Sequence, residues 1–580
     1  MSPIRFVLAV PLGDPPATSK SISSPLVVAP KLEEICGDRP QLWLGPGSTA
    51  IDLGPAGSIF GVMFERGSAV RVNVLAVGAP IGEGPPLIAK WLTSQCWGAY
   101  LAVFRDLGSG QLAAYPDPSG LLPVYRRETA SHVLLSSEPG LLGEVLNGEP
   151  LCVSWFELQS YLAWPELRQR STCLAGVSEL TPGVLWTIGR SGDASVQIWR
   201  PQDFMPVGTA PTFESAAEEL RDLATTTIGA WAGQFGQVAV AASGGVDSSL
   251  ICAAMAKGGH AFDCITLATA DPSGDESAFV RLLGDHLGVR TIASTYALSH
   301  VDLLRPASLG LARPSRKAFM VALERALVAA AGELSADVVF DGNGGDNLFC
   351  FLHSAAPLID RLRAMGPRLG ACSTFVDLCR LTGCDAGTMA RAVLRRIMRP
   401  RPTGLWPPDL RLLADRPLAP PEPWTPWFEV DVGKHGGKRD HLALLMRGQN
   451  HVNDVGGLPR FSPLMSQPLV EFCLSVPTWL WCRGGINRAL ARAAFAPDLP
   501  REIVVRTSKA GPDSFIRKLF DANRRVIREG LLDGLLASQG VIDRGATEAA
   551  LSVDALSGDS IVYRLLDLIE AEAWARSWRR

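Results

Sequence analysis

Two short stretches hold the residues best suited to chemistry. The first is Ser243-Gly244-Gly245-Val246-Asp247-Ser248-Ser249. Its glycines let the main chain approach an anion closely. N–H groups and two hydroxyls at a helix start suit a phosphate or pyrophosphate. Asp247 cannot hold an anion itself, so it makes sense mainly as a Mg2+ ligand beside the phosphates. Mg2+ with a polyphosphate points to ATP. The loop is not a Walker A motif, because it lacks the Lys-[Ser/Thr] ending. Gly-Gly with Asp and Ser is also ordinary turn chemistry, so the flanking elements decide. The apolar run Val238 to Ala242 reads as a buried strand and LICAAMAKGG as the following helix.

The second stretch is Asp341-Gly342-Asn343-Gly344-Gly345-Asp346-Asn347, again after a short apolar strand, Val338-Val339-Phe340. Asp247 and Asp346 thus each follow an expected parallel strand. They would converge at one sheet edge, where ligands bind in open α/β folds. A third strand, Cys264 to Leu267, precedes DPSGDESAFVRLLGDHLGV. Asp275 and Glu276 fall in that helix's first turn, where acidic groups complement the dipole and need no further role.

These motifs resemble known ones. Residues 243–248 resemble the SGGxDS loop of N-type ATP pyrophosphatases, and DGNGGDNLF resembles the SGEGxDELF segment of asparagine synthetases. The resemblance implies that Ser243, Gly244, Gly245 and Ser248 cradle pyrophosphate, and that Asp247 and Asp346 both hold Mg2+. It implies that Asp341 and Gly342 lie against the nucleotide and that main chain near Leu267 contacts adenine. RTSKAGPDSF resembles the synthetases' Lys-x-Gly loop, which would place Lys509 at the active site, steadying the leaving pyrophosphate. A flexible ammonium suits a phosphate whose charge moves during reaction. Asn343 stands where the synthetases have Glu and cannot act as a base. His451 and Asp454 are candidate substitutes, though each reads more simply as structural. In the segment resembling R-x-P-F-L-D, Met465-Ser466-Gln467 replaces the expected Asp.

The fold expected is α/β plus α+β. Residues 1–205 read as short β segments, among them GSIFGVMFERG, WGAYLAVFRD and HVLLSSE, with the spacing of an antiparallel sheet domain. Their order, with Asp117-Pro118-Ser119-Gly120 and Leu180-Thr181-Pro182-Gly183, resembles the glutaminase domain of asparagine synthetases, an Ntn-hydrolase-like fold. Residues 206–580 would form an adenine-nucleotide α-hydrolase-like parallel-sheet synthetase domain with a largely helical C-terminal part. Those glutaminases require a cysteine at position 2, whereas this chain begins Met1-Ser2-Pro3 and its first cysteine is Cys36. A serine hydroxyl without an activating base is a far weaker nucleophile than a thiolate. The first domain is therefore expected to be a degenerate one, serving as a scaffold or docking surface.

Composition agrees with a large enzyme. Lys plus Arg is 55 against 58 for Asp plus Glu, so no strong field favours nucleic acid or an anionic membrane. Twelve cysteines are scattered without CxxC pairs, as expected for free thiols in a reducing cytoplasm. The uncharged run 223–246 ends on the ATP loop and is rich in Thr, Gln and Gly, which argues against a membrane span. PLMSQPLVEFCLSVPTWLWCRGGINRALAR, with RTSKAGPDSF and DGNGGDNLF, looks closest to the lasso-peptide macrolactam synthetases. That resemblance implies adenylation of an Asp or Glu side chain of a precursor peptide, then closure onto the peptide's own N-terminal amine. It implies ATP and Mg2+ as cofactors, and a leader peptidase and a leader-recognition protein as partners. A small-molecule amide ligase, resembling asparagine or β-lactam synthetases, and a non-catalytic peptide-binding scaffold remain the alternatives.

Overall fold

The computed structural model describes residues 5–11, 41–44, 49–144, 150–189, 194–205, 211–268, 275–315, 318–398, 408–419, 436–451, 459–507, 511–552 and 559–579. Eleven strands precede residue 200 among the described residues. They are β1 (Phe6–Pro11), β2 (Gln41–Leu44), β3 (Ala50–Asp52), β4 (Gly57–Glu65), β5 (Cys96–Arg105), β6 (Leu112–Pro116), β7 (Tyr125–Glu128), β8 (His132–Ser136), β9 (Val177–Glu179), β10 (Val184–Ile188) and β11 (Ser195–Gln197). They form two antiparallel sheets, ordered β2-β1-β8-β7-β9 and β11-β10-β6-β5-β4-β3.

Side-chain alternation along each strand explains the layering. Phe6, Leu8 and Val10 of β1 share a core with Phe60, Val62 and Phe64 of β4 and Trp97, Ala99 and Leu101 of β5. The opposite face of β4 and β5, with Ile59, Met63, Tyr100 and Phe104, is covered by Ile88, Ala89 and Leu92 of the helix Pro85–Gln95. The opposite face of β1, Val7 and Ala9, belongs to a second core with Trp43, Leu134, Leu141 and Leu158, a core that also takes in residues of the helices Asp513–Leu532 and Asp559–Ser577. Burial on both faces is why these strands read as nearly continuous apolar runs.

The third sheet is parallel: β12 (Val238–Ala241), β13 (Phe262–Ala268), β14 (Thr291–Thr295), β15 (Val338–Asp341) and β16 (Arg460–Phe461), in the order β14-β13-β12-β15-β16. Val238 and Val240 face the helices Phe213–Ala232 and Val246–Lys257, while Ala239 faces Leu327, Ala330 and Ala331 of the helix Met320–Glu333. After residue 347 the described chain is mainly helical, as expected, except that β16 extends the sheet. A two-residue strand has no periodicity to betray it.

The antiparallel and parallel layers are joined by one core. Trp231, on the helix beside β12, packs against Phe64 and Trp97 and against Phe461. Its indole N–H donates to Ser466 Oγ at 2.9 Å. The buried Glu471 accepts from Arg66 at 2.7 Å and from the Trp199 indole at 2.8 Å. Arg313 donates to Glu179 at 2.9 Å, and Arg168 pairs with the same carboxylate.

Candidate active site at the carboxyl edge of the parallel sheet

The register aligns Ala241 of β12 with Ile265 of β13 and with Asp341 of β15. The 243–249 turn and the 341–347 turn therefore leave the sheet at the same edge. Gly244 turns the chain with φ +62°, a left-handed conformation that favours glycine. Hydroxyls lace the first turn: Ser243 N–H donates to Ser248 Oγ at 3.2 Å and Gly245 N–H to Ser243 Oγ at 3.4 Å. The helix Val246–Lys257 then begins with Asp247 in its first turn.

Glycine brings the two turns into contact. A Cβ on Gly342 would sit 2.9 Å from the Ser248 nitrogen, and one on Gly345 would overlap the Asp247 carboxyl. Asp247 and Asp346 converge on Arg488, which lies 3.2 Å from Asp247 Oδ2 and also pairs with Asp346 Oδ1. Asp247 and Arg488 are buried, whereas the Asp346 side chain is 47% exposed.

The other expected residues are placed as follows. The Asp341 carboxylate is buried and accepts from Arg460 at 2.7 Å, from Ser462 Oγ at 2.5 Å and from the Asn343 amide at 2.7 Å. It thereby pins β16 and the second turn, and its side chain is fully engaged in doing so. Leu267 lies near the end of β13, partly buried against the packing of Ala239 and Ile265. The helix begins at Ser277, so Asp275 and Glu276 precede its first turn rather than forming it; Asp275 accepts from Ser277 N–H at 2.8 Å, and that bond holds its carboxyl below the usual range. Glu276 does more than complement a dipole. It pairs with Arg506 at 2.5 Å, whose guanidinium also donates to the Ser243 carbonyl at 3.0 Å and lies over the Phe279 ring. Met465 is buried against Gly344, Ser466 bonds Trp231, and Gln467 donates to Glu471, so these three are packing residues. Lys509, Asp454, Ser2 and Cys36, and the side chain of His451, lie outside the described residues.

Two carboxylates held around one positive group suit Mg2+. That ion takes one or two protein carboxylates and completes its octahedron with phosphate oxygens and water. Among the described residues no cluster of three or more His, Cys, Asp or Glu could hold a metal unaided. Below Arg488, Arg492 donates to the carbonyls of Asn487 and Val504, and burial, then the Arg488 charge, pushes it down to about 10.

The asparagine synthase family matches residues 219–576, a span that contains both turns, Arg488 and Arg506. The chain belongs to the asparagine synthase family. Enzymes of the asparagine synthase family use ATP, which accords with a glycine turn at a helix start beside two carboxylates. No curated protein matches the chain. Among solved structures, the allosteric regulatory enzyme of purine biosynthesis matches at 11% identity and a TM-score of 0.16, over 43% of this chain and 62% of that one. The B. subtilis glutamine phosphoribosylpyrophosphate amidotransferase, complexed with ADP and GMP, matches at 11% and 0.16, over 49% of this chain and 70% of that one. Likeness at that level carries no argument. No helix among the described residues is long and apolar enough to cross a membrane.

Sequence reading missed Arg460, Arg488 and Arg506. Arg488 and Arg506 lie in stretches that the resemblance singled out, but neither has a motif of its own that assigns it a partner. The one usable signal was that buried carboxylates in the two turns require cationic partners.

Proposed function

We propose that this chain is an ATP-dependent lasso-peptide cyclase. A side-chain carboxylate of a precursor peptide attacks the α-phosphorus of ATP; the bond from that phosphorus to the bridging oxygen breaks, and pyrophosphate leaves. The peptide's N-terminal amine then attacks the acyl carbon. The bond to AMP breaks, the amine gives up a proton, and an isopeptide-linked ring remains. Mg2+, held by Asp247 and Asp346, would offset phosphate charge during the first step. The 243–245 turn binds pyrophosphate oxygens through backbone N–H groups, and Arg506, fixed by Glu276, holds that turn in shape. Lys509 is proposed to steady the departing pyrophosphate.

The observation that carries the reading is the convergence of Asp247 and Asp346 beside the phosphate turn. The peptide substrate rests on the likeness of 456–515 to the macrolactam synthetases, with a leader peptidase and a leader-recognition protein as proposed partners. The 1–205 region is proposed as a scaffold. Incubation with Mg-ATP and a leader-free candidate peptide tests this. AMP formation with loss of one water mass from the peptide is expected. AMP formed only with free aspartate and ammonia would rule out ring closure.

A further inference from the structure

Arg488 is a non-glycine residue with φ +54° and ψ +32°, a left-handed backbone that L side chains seldom adopt. The strained backbone points a charged side chain inward, where the residue is only 9% exposed. The guanidinium spans Asp247 and Asp346 and lies over the Phe351 ring, 5.4 Å from its centroid. Its Nε is buried with no hydrogen-bond partner among the described residues. Arg492 adds a second guanidinium close to Asp247 and Arg488, but it is Arg488 that bridges the two carboxylates.

We propose that Arg488 is an internal counter-cation. It fills the carboxylate pair in the nucleotide-free protein and is expelled when a divalent cation arrives with the nucleotide. The inference rests on the ATP site proposed above. Its physical basis is charge: a divalent cation and a guanidinium cannot share one carboxylate pair without strong repulsion at contact distance. Once freed, the planar fork, with its unpartnered Nε–H, matches a phosphate oxygen pair that the incoming nucleotide supplies. The site then exchanges one cation for another, and neither carboxylate is left bare.

Thermal unfolding of the full chain with Mg2+ and no nucleotide provides the test. Wild type should respond little to Mg2+ alone, because Arg488 already occupies the pair. Arg488→Met should unfold at a lower temperature without metal and recover with Mg2+ alone. Its Mg2+ requirement for ATP binding should fall by roughly tenfold, the scale of one close charge competitor in a solvent-lined site. If Arg488→Met is too unstable to purify, Arg488→Lys serves, since an ammonium spans two carboxylates poorly and should show a smaller shift of the same sign. In Arg488→Met/Asp346→Asn the response to Mg2+ alone should disappear. Equal Mg2+ responses in wild type and the Arg488 variants, or an unchanged response in the double variant, would overturn the proposal. Failure of wild type to bind Mg-ATP at all would instead overturn the nucleotide site itself.

Discussion

Asp247 is buried against two turns while Asp346 stands half in water, and their substitutions should differ accordingly. Asp247→Asn removes a charge that buried Arg488 depends on. We expect it to lose AMP formation by on the order of 1000-fold, with lowered stability as well. Asp346→Asn should lose activity on the order of 100-fold with a smaller drop in unfolding temperature, since the Asp346 side chain is half exposed and Arg488 keeps Asp247 as a partner. Pyrophosphate release and thermal unfolding on both variants check the split; equal stability losses would contradict it. Both aspartates were legible in the sequence because each sits in a glycine-rich loop directly after a short apolar strand, and the first loop adds hydroxyls. Arg488 was not, because its meaning depends on a partner 241 positions away. Glu276 was half legible: its place at the start of a helix was plain, although it is the N-cap residue before Ser277 and not in the first turn, and its pairing with Arg506 exists only in three dimensions.

Elements act through close approach. Gly345 has no room for a side chain because the Asp247 carboxyl lies where a Cβ would be. Gly345→Ala should leave the fold intact yet weaken Mg-ATP turnover by about 100-fold, the scale of a misplacement near 1 Å at a reacting centre. Steady-state pyrophosphate release measures it, and wild-type rates would show that the turns can part freely. The short helix Gly345–Leu348 is also braced from behind, where His441 Nε2–H donates to the Leu348 carbonyl at 2.8 Å. Burial, then the Lys438 charge, holds this imidazole down to about 3. In the unfolded chain it takes a proton near 6.5, so the unfolded state binds more protons between those values. Stability is therefore complete above about pH 6.5 and drains away as the pH falls toward 3. His441→Gln, which keeps a donor for Leu348, should flatten the unfolding temperature against pH from 6.5 to 4; an unchanged slope would exclude His441 as its source. The strands that position these turns were legible from apolar runs ending in turn residues. The two-residue β16 was not, although Asp341 depends on its Arg460.

At the scale of the molecule, one hydrophobic core runs from β1 and β5 through Trp231 to the parallel sheet. Glu471 sits in that seam, accepting from Arg66, Trp199 and Gln467. Glu471→Ala leaves the buried indole N–H without an acceptor and should cost roughly 3 kcal/mol, read from the urea midpoint. Glu471→Gln, which retains an acceptor, should lose less; equal losses would assign the effect to packing. That β1 is buried on both faces, one of them in a core shared with helices from the far end of the chain, was not legible, because an apolar run records burial and not its source. In the same seam Trp97 and Trp231 meet edge to face with ring centroids 5.9 Å apart, one from the antiparallel layers and one from the parallel. Indole transitions fixed at that separation couple strongly, so near-ultraviolet circular dichroism carries a built-in optical gauge of whether the two layers remain docked. A loosening of the seam would dim that signal before either layer lost its own strands.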